Sequence, residues 1–153
     1  MLLFTYGTLK KNLPNHHYMQ KYQFVGGAKT SEKYPLINGT SHKCPFLLNK
    51  PGTGLNVLGE VYDIGDDSAV FDAVEYVPIL MDREIILVEL DSGQTTEAHA
   101  YVLSDFKEEL LGEPFILDYS KSDVNFALMR DAKEIDGIIE EIIPQVKKQI
   151  KST

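Results

Sequence analysis

The amino-acid sequence predicts one domain of the α+β class, in which a mostly antiparallel β core is followed by a C-terminal helical extension. Three observations predict this. The length of 153 residues suits one domain and can bury a core without disulfide bonds. Short apolar runs separated by turn residues fill the first two thirds of the chain. Isoleucines at helical spacing mark the last third, so the expected core covers about 1–105 and the extension about 106–153.

Strands account for most of the expected core. Each is a run of apolar or β-branched residues bounded by glycine, proline or other turn residues. The runs cover 2–6, a piece that begins at Phe24, 46–48, 56–64, 83–91 and 96–103. The four residues 92–95 between the last two runs predict an antiparallel hairpin. Gly26 and Gly27 predict an end or a bulge in the piece that begins at Phe24, and Gly59 predicts a bulge or a close backbone approach.

Two short helices are expected between these strands. Asn15 is placed to cap a helix over 16–22. The run 66–68 supplies a cap and acidic residues for the first turn of a second helix over about 67–76. Pro78 should end that second helix, because proline excludes the helical conformation from the residue before it.

A third helix is expected over about 123–143, after the polar and irregular segment 104–122. Its apolar residues recur at helical spacing. They are Ile135, Ile138, Ile139, Ile142 and Val146. Pro144 should kink or end the helix. The isoleucine face is expected to pack on the core, and binding of a partner helix is the alternative.

Composition limits the expected partners. The net charge of −8 argues against binding of nucleic acid or an anionic membrane through bulk charge. No apolar run approaches the roughly 18 residues of a membrane span, and the N-terminus lacks the basic start and long apolar core of a signal peptide. Cys44 is the only cysteine, which excludes an intramolecular disulfide and suits a reducing compartment. We therefore expect a cytoplasmic protein in which Cys44 is a buried, inert thiol.

Common cofactor and metal motifs do not occur in the sequence. It contains neither a glycine-rich phosphate loop ending in Gly-Lys-Ser/Thr nor a dinucleotide-binding fingerprint. The four histidines are not paired at metal-ligand spacing; they are His16, His17, His42 and His99. The adjacent His16 and His17 are expected on a solvated helix surface.

Two features remain as candidates for chemistry. The segment Tyr6-Gly7-Thr8-Leu9-Lys10 directly follows the first strand. A glycine there lets the backbone turn sharply with its N–H groups pointing outward, which makes a plausible nest for a carboxylate. Taken alone, this signal is weak, and an ordinary turn at the end of a strand is the simpler interpretation.

The second feature is a glutamate near the end of the second expected helix. Its neighbours along the chain and on the helix face are apolar, namely Phe71, Val74 and Tyr76. A carboxyl among apolar groups is hard to ionise, so the pKa of Glu75 should rise toward neutrality. Asp72, three residues earlier, is expected to raise it further. Such a group can serve as a general base and then as an acid, although a solvated glutamate is the alternative.

A series of short motifs runs in order along residues 1–103. They are 6–10, 13–16, 34–36, 45–48, 51–52, 57–62, 71–78 and Arg83. Together they resemble the γ-glutamyl cyclotransferase family, also called AIG2-like, and within it most closely the members that act on γ-glutamylamines. The resemblance implies a small, mostly antiparallel or mixed β-barrel with flanking helices and one pocket. It also implies that backbone groups of Tyr6, Gly7, Thr8 and Leu9 hold the α-carboxylate of a γ-glutamyl group, and that the family's acidic residue is Glu75.

The implied reaction is intramolecular. The substrate's α-amine attacks its own γ-carbonyl, which closes 5-oxoproline and expels an amine. The implied substrate is a small γ-glutamylamine such as γ-glutamyl-ε-lysine, and no metal or cofactor is expected. One carboxyl with a raised pKa can deprotonate the attacking amine and then protonate the leaving one. The substrate supplies the nucleophile, so no catalytic serine or cysteine is required.

Three alternatives remain open at this point. The first is a cyclotransferase that acts on γ-glutamyl amino acids, and the second is a non-catalytic module that keeps the pocket. The third is a scaffold that binds a partner through the C-terminal isoleucine face. Met81 stands where amine-specific relatives usually have an aromatic residue, two positions before Arg83, which bears on substrate preference. The resemblance does not cover 104–153, and a monomer or weak homodimer is expected.

Overall fold

The computed structural model describes residues 1–39, 44–119 and 132–148. In these residues the strands are β1 (Leu2–Thr5), β2 (Gln23–Thr30), β3 (Leu36–Gly39), β4 (Cys44–Leu47), β5 (Leu58–Asp63), β6 (Asp82–Leu90) and β7 (Thr95–Val102). The α-helices are α1 (Ser68–Val74) and α2 (Ala132–Val146), and short 3₁₀ helices span His16–Met19 and Glu108–Gly112. None of the described helices is long and apolar enough to cross a membrane.

Five strands close into a barrel in the order β1-β5-β2-β6-β7, and β3 and β4 form a separate two-stranded sheet. The β6–β7 hairpin pairs antiparallel along its length, as predicted from the turn between the two runs. The remaining neighbours along this order are also antiparallel. A parallel pairing of β1 with β7, which sets Leu3 opposite His99, closes the barrel. The α+β class and the mixed barrel are therefore confirmed.

The barrel interior is filled by one face of each strand, because side chains alternate along a strand. Phe4, Val61, Ala98, Ala100 and Val102 are among the residues of this interior cluster. Gly59 lies among them, and a Cβ atom there would overlap the Thr5 carbonyl oxygen and come within 2.6 Å of the Phe4 ring. The close backbone approach predicted at Gly59 is confirmed.

The strand that begins near Phe24 shows the bulge that its two glycines predicted. The pairing of β2 with β5 shifts register between Phe24 and Gly26, and β2 then continues to Thr30. The glycine pair therefore bulges the strand rather than ending it. This lets β2 reach β6, where Thr30 pairs with Val88.

A second apolar cluster lies outside the barrel wall, where the helices pack. On the strands it includes Leu3, Tyr62 and Tyr101, and on α1 it includes Phe71. The isoleucine face of α2 completes it through Ile138, Ile139, Ile142 and Val146. The predicted packing of this face on the core is confirmed, and the partner-helix and scaffold alternatives are wrong because the face is already covered.

The bounds of the helices differ from the prediction in three ways. The helix expected over 16–22 is a single 3₁₀ turn, and α1 is shorter at both ends than the expected 67–76. Pro144 does not end α2, which continues to Val146. Residues 123–131 of the third expected helix lie outside the described residues.

The two predicted helix caps are wrong because tertiary partners take their side chains. Asn15 makes no cap bond and donates its Nδ2 to Thr8 Oγ1 at 2.9 Å. Asp67 also makes no cap bond, and its Oδ2 accepts a hydrogen bond from the Tyr22 hydroxyl at 2.6 Å. The Asn15 side chain thus ties the 3₁₀ turn to the loop seven residues earlier, and the Asp67 side chain ties the start of α1 to a residue 45 positions earlier.

Candidate active site

A cavity of about 140 Å³ lies outside the barrel wall, between the end of β1, the end of α1 and the inner face of α2. A volume of roughly 10–15 Å³ is enough to hold one water molecule, and this cavity is far larger. All five residues singled out from the sequence line it, namely Tyr6, Gly7, Thr8, Leu9 and Glu75. The fold thus brings the candidate loop and the candidate carboxyl to one space, although they lie far apart in the sequence.

The loop after β1 presents backbone donors at this cavity. Within the described residues, the amide N–H groups of Gly7, Thr8 and Leu9 have no backbone acceptor, whereas the amide of Lys10 donates to the Gly7 carbonyl at 3.1 Å. A Cβ atom on Gly7 would lie 2.9 Å from Pro45 Cγ, so the loop packs against β4 this closely only with glycine. Three adjacent amides that no described backbone carbonyl accepts from form a site suited to an anion such as a carboxylate.

Residues just beyond the loop hold it in place. The amide of Asn15 donates to the Thr8 carbonyl at 3.0 Å, in addition to the bond from its side chain. His16 Nδ1 lies 2.9 Å from the Leu9 carbonyl, so this nitrogen carries the ring proton. His17 is exposed, as predicted, but His16 is half-buried, so its placement on a solvated surface was wrong. The motif over 13–16 was the sequence signal that could have identified this support.

The Tyr6 side chain connects three strands rather than facing the solvent. Its hydroxyl donates to the Tyr101 carbonyl at 2.6 Å and accepts from the Leu47 amide at 3.4 Å. Burial raises the pKa of Tyr6, and the nearby Glu75 carboxyl raises it further. Tyr6 is therefore a neutral hydrogen-bonding group that fixes where the loop begins.

Glu75 lies where α1 ends. Its amide donates to the Phe71 carbonyl at 2.9 Å, which completes the last helical turn. The amide of Tyr76 then donates to Ala73 at 3.2 Å and that of Val77 to Asp72 at 2.9 Å, which is the pattern of a Schellman motif. Tyr76 has a φ of 54°, a left-handed conformation in which glycine is the usual residue.

The pKa of the Glu75 carboxyl is well above its ordinary value. Its desolvation by burial raises the pKa from 4.5 to about 7. The residue as a whole is partly exposed, but protein atoms surround the carboxyl group on the cavity wall. Its position at the carbonyl end of a helix acts in the same direction, because the helix dipole disfavours a negative charge there. Near neutral pH the group therefore exists in both protonation states.

Asp72 does not act on Glu75 as the sequence predicted. Arg83 Nε donates to Asp72 Oδ1 at 2.9 Å, and the Tyr101 hydroxyl donates to the same oxygen at 2.7 Å. Although burial opposes it, these bonds lower the pKa of Asp72, and the arginine balances its charge. Arg83 Nη1 also lies 3.1 Å from His99 Nδ1, which must accept the bond, so His99 is neutral. Burial lowers the pKa of His99, and the positive charge of Arg83 lowers it further.

Tyr101 and residues of α2 also line the cavity, and no motif in the sequence indicated this. Tyr101 lines the cavity and is oriented by its bond to Asp72. From α2, three isoleucines form an apolar wall: Ile135, Ile139 and Ile142. The Tyr76 hydroxyl donates to Asp136 Oδ1 at 2.6 Å and ties the end of α1 to this helix. No local pattern could have placed α2 here, because its position depends on long-range packing.

Two further residues of the wall bear on the predictions. Met81 is buried and lines the cavity, so the departure noted at this position faces the ligand space. Cys44 is also buried and lines it, which confirms the predicted burial of this thiol. In the described part of the chain, His, Cys, Asp and Glu side chains form no group of three or more that could hold a metal ion.

Comparison with known proteins gives the same family from sequence and from structure. The family model described as "Gamma-glutamyl cyclotransferase, AIG2-like" matches residues 3–120, which extends beyond the segments recognised in the sequence. Gamma-glutamylaminecyclotransferase C of Danio rerio is 37% identical over 123 residues, covering 73% of this chain and 81% of that protein. The gamma-glutamylaminecyclotransferase of Bos taurus is 35% identical over 124 residues, covering 76% and 74%. The crystal structure of an AIG2-like protein from Mus musculus superposes with a TM-score of 0.75 at 28% identity, covering 86% of this chain and 96% of that one.

Proposed function

The chain belongs to the gamma-glutamyl cyclotransferase, AIG2-like family, and we propose that it is a γ-glutamylamine cyclotransferase. The reaction is the intramolecular cyclisation of a γ-glutamylamine to 5-oxoproline with release of the free amine. The names of the Danio rerio and Bos taurus relatives support this activity for the chain. The resemblance found in the sequence supports γ-glutamyl-ε-lysine as a substrate.

One structural observation gives this proposal its main support. The same cavity is lined by a carboxyl with a pKa of about 7 and by three backbone amides that have no backbone acceptor among the described residues. The amides of Gly7, Thr8 and Leu9 can hold the α-carboxylate of the substrate by charge-assisted hydrogen bonds. The carboxyl can then accept a proton from the α-amine next to that carboxylate.

Ring closure begins with the loss of a proton from the substrate's α-ammonium group to Glu75. The neutral amine attacks the γ-carbonyl carbon, and a new C–N bond forms while the carbonyl electrons move to its oxygen. Fixing the carboxylate at the loop holds the glutamyl chain folded back, so that much of the rate enhancement comes from positioning. No side-chain nucleophile takes part, because the substrate attacks itself.

The second step breaks the original amide bond. The oxygen of the tetrahedral intermediate re-forms the carbonyl, and the leaving nitrogen takes the proton that Glu75 now holds. The nitrogen that attacked still carries one extra proton, which passes to the basic released amine. The products are therefore 5-oxoproline and an alkylammonium ion, and Glu75 returns to its ionised form. A carboxyl whose pKa lies near neutral pH suits both transfers, since neither protonation state is strongly favoured.

The cavity wall supports an alkyl amine as the leaving group. The isoleucines of α2 and Met81 present apolar surface to the ligand space. The aliphatic stem of a lysine side chain gains free energy by leaving water for such a surface. A γ-glutamyl amino acid would instead bring a second carboxylate next to the scissile bond.

The test is incubation of the protein with γ-glutamyl-ε-lysine, γ-glutamyl-alanine and glutathione, with 5-oxoproline measured for each. We expect the highest kcat/KM for γ-glutamyl-ε-lysine. Glu75→Gln should abolish product formation, whereas the exposed Glu140→Gln on α2 should retain it. Preference for γ-glutamyl-alanine would identify the dipeptide activity instead, and no 5-oxoproline from any substrate would favour a binding module without catalysis.

A further inference from the structure

A buried hydroxyl in the cavity wall has no hydrogen-bond partner among the described groups. Thr5 is only 4% exposed, and its Oγ1 is unpaired. Buried polar atoms are almost always paired, since an unpaired one loses its bonds to water without replacement. Such an atom in a ligand cavity indicates a partner that arrives with the ligand.

The strand geometry directs this hydroxyl toward the cavity. Side chains alternate along β1, so Thr5 lies on the same face as Leu3 and opposite Phe4. Leu3 belongs to the cluster outside the barrel wall, beneath α1 and α2, whereas Phe4 belongs to the barrel interior. Most of the apolar residues that line the cavity belong to the cluster of Leu3, although Phe4 and Tyr6 line it too, and Thr5 is among the lining residues.

The polar groups of Tyr101, on the adjoining strand, already make other hydrogen bonds. The parallel pairing of Leu3 with His99 places Thr5 level with Tyr101 on the adjoining strand. The Tyr101 hydroxyl donates to Asp72 at 2.7 Å, and its carbonyl accepts from Tyr6 at 2.6 Å. Neither group supplies a bond to Thr5 Oγ1, so the hydroxyl can serve a bound molecule.

We propose that the Thr5 hydroxyl donates a hydrogen bond to the γ-carbonyl oxygen of the bound γ-glutamyl group. The inference rests on the proposed function. The loop amides hold the α-carboxylate and Glu75 faces the α-amine, so the acceptor left on the reacting group is the γ-carbonyl oxygen. Negative charge develops on that oxygen when the ring closes, and a fixed donor in a site shielded from water stabilises it.

The test compares Thr5→Val, which keeps the shape and removes the hydroxyl, with Thr5→Ser, which keeps the hydroxyl. Removal of one donor to a developing oxyanion costs up to about 10²–10³-fold in kcat. We expect Thr5→Val to lose at least about 10-fold in kcat/KM, mainly through kcat, and Thr5→Ser to keep most of the activity. The thermal midpoint of Thr5→Val should equal or exceed that of the parent, because the substitution removes an unpaired buried group.

Thr30 supplies a matched control. It is equally buried, but its Oγ1 accepts a hydrogen bond from the Val57 amide at 2.9 Å, and it is not among the cavity residues. Thr30→Val should therefore lower the thermal midpoint and leave kcat/KM of the folded protein unchanged. The two threonines should thus separate loss of activity from loss of stability.

A binding measurement separates failure of this inference from failure of the proposed function. 5-Oxoproline retains the oxygen in question, so Thr5→Val should also weaken its affinity in calorimetric titration. If the parent protein produces no 5-oxoproline but binds it through Thr5, the catalytic proposal fails and the contact stands. If the parent protein turns over substrate, an unchanged kcat/KM in Thr5→Val overturns the contact. If the parent shows no turnover, the contact is overturned when Thr5→Val binds 5-oxoproline as tightly as the parent, or when the parent does not bind it.

Discussion

Replacing Glu75 by glutamine should stabilise the protein above neutral pH while removing its activity. The carboxyl has a pKa of about 7 in the folded protein against an ordinary value of 4.5, because burial disfavours its ionised form. A difference of this size corresponds to about 3 kcal/mol of unfolding free energy. Glutamine has a similar shape and never ionises, so it avoids this unfavourable term.

The sign of the effect follows from proton binding. Below the unfolded-state pKa of about 4.5 the carboxyl is neutral in both states, and the substitution should change stability little. Between 4.5 and about 7 the folded state holds more protons than the unfolded state, so the parent loses stability as the pH rises. Above about 7 the difference should level off at its full value.

Urea denaturation of parent and variant at several values between pH 4.5 and pH 8.5 measures this difference. The variant should gain up to about 3 kcal/mol across that range, with an unchanged dependence of the free energy on urea. Glu140→Gln, at an exposed position of α2, should show no such trend. Equal stability of Glu75→Gln and parent at pH 8.5 would refute the burial argument, and full activity of the folded variant would refute the base assignment.

Further predictions concern the acid limb, the loop and α2. The kcat/KM of the parent should fall about tenfold per pH unit below about 7, as Glu75 becomes protonated, and a flat profile down to pH 5 would contradict its role. Gly7→Ala should raise KM at least about tenfold, because the added methyl lies 2.9 Å from Pro45 Cγ and displaces the loop amides. Initial rates over a range of substrate concentrations measure this KM. Truncation after Asp105 should abolish cooperative thermal unfolding, because it removes the buried face of α2; a truncated chain that unfolds cooperatively would show that the extension is dispensable.

The strands were predictable because their signals are local. Alternation and turn residues located β5 and the β6–β7 hairpin, and the glycine at 59 indicated a close approach before any neighbour was known. The closure of the barrel was not predictable in this way. It depends on a parallel contact between Leu3 and His99, which lie almost a hundred residues apart.

The candidate site shows the same division between local and long-range causes. The apolar neighbours of Glu75 were visible in the sequence, and burial is the cause of its raised pKa. The expected contribution of Asp72 was wrong, because its charge is balanced by Arg83 from a strand that follows the helix. The unpaired hydroxyl of Thr5 could not be inferred from sequence, since an unpaired group is recognised only when every neighbour is known.

The two halves of the site both lie where a regular element stops. At the end of β1 the amides of Gly7, Thr8 and Leu9 find no backbone acceptor in the part of the chain that the structure describes, which makes this end a donor site for an anion. At the end of α1 the helix carbonyls and the surrounding apolar groups oppose a negative charge, so the carboxyl of Glu75 keeps a proton to higher pH. In the mechanism that we propose, one end binds the substrate's carboxylate, and the other holds the group that exchanges a proton with the substrate's amine. The amine and the carboxylate of a γ-glutamyl group share one carbon atom, so this proposed mechanism depends on the spacing between the two ends. The packing of α1 and β1 against a common core sets that spacing.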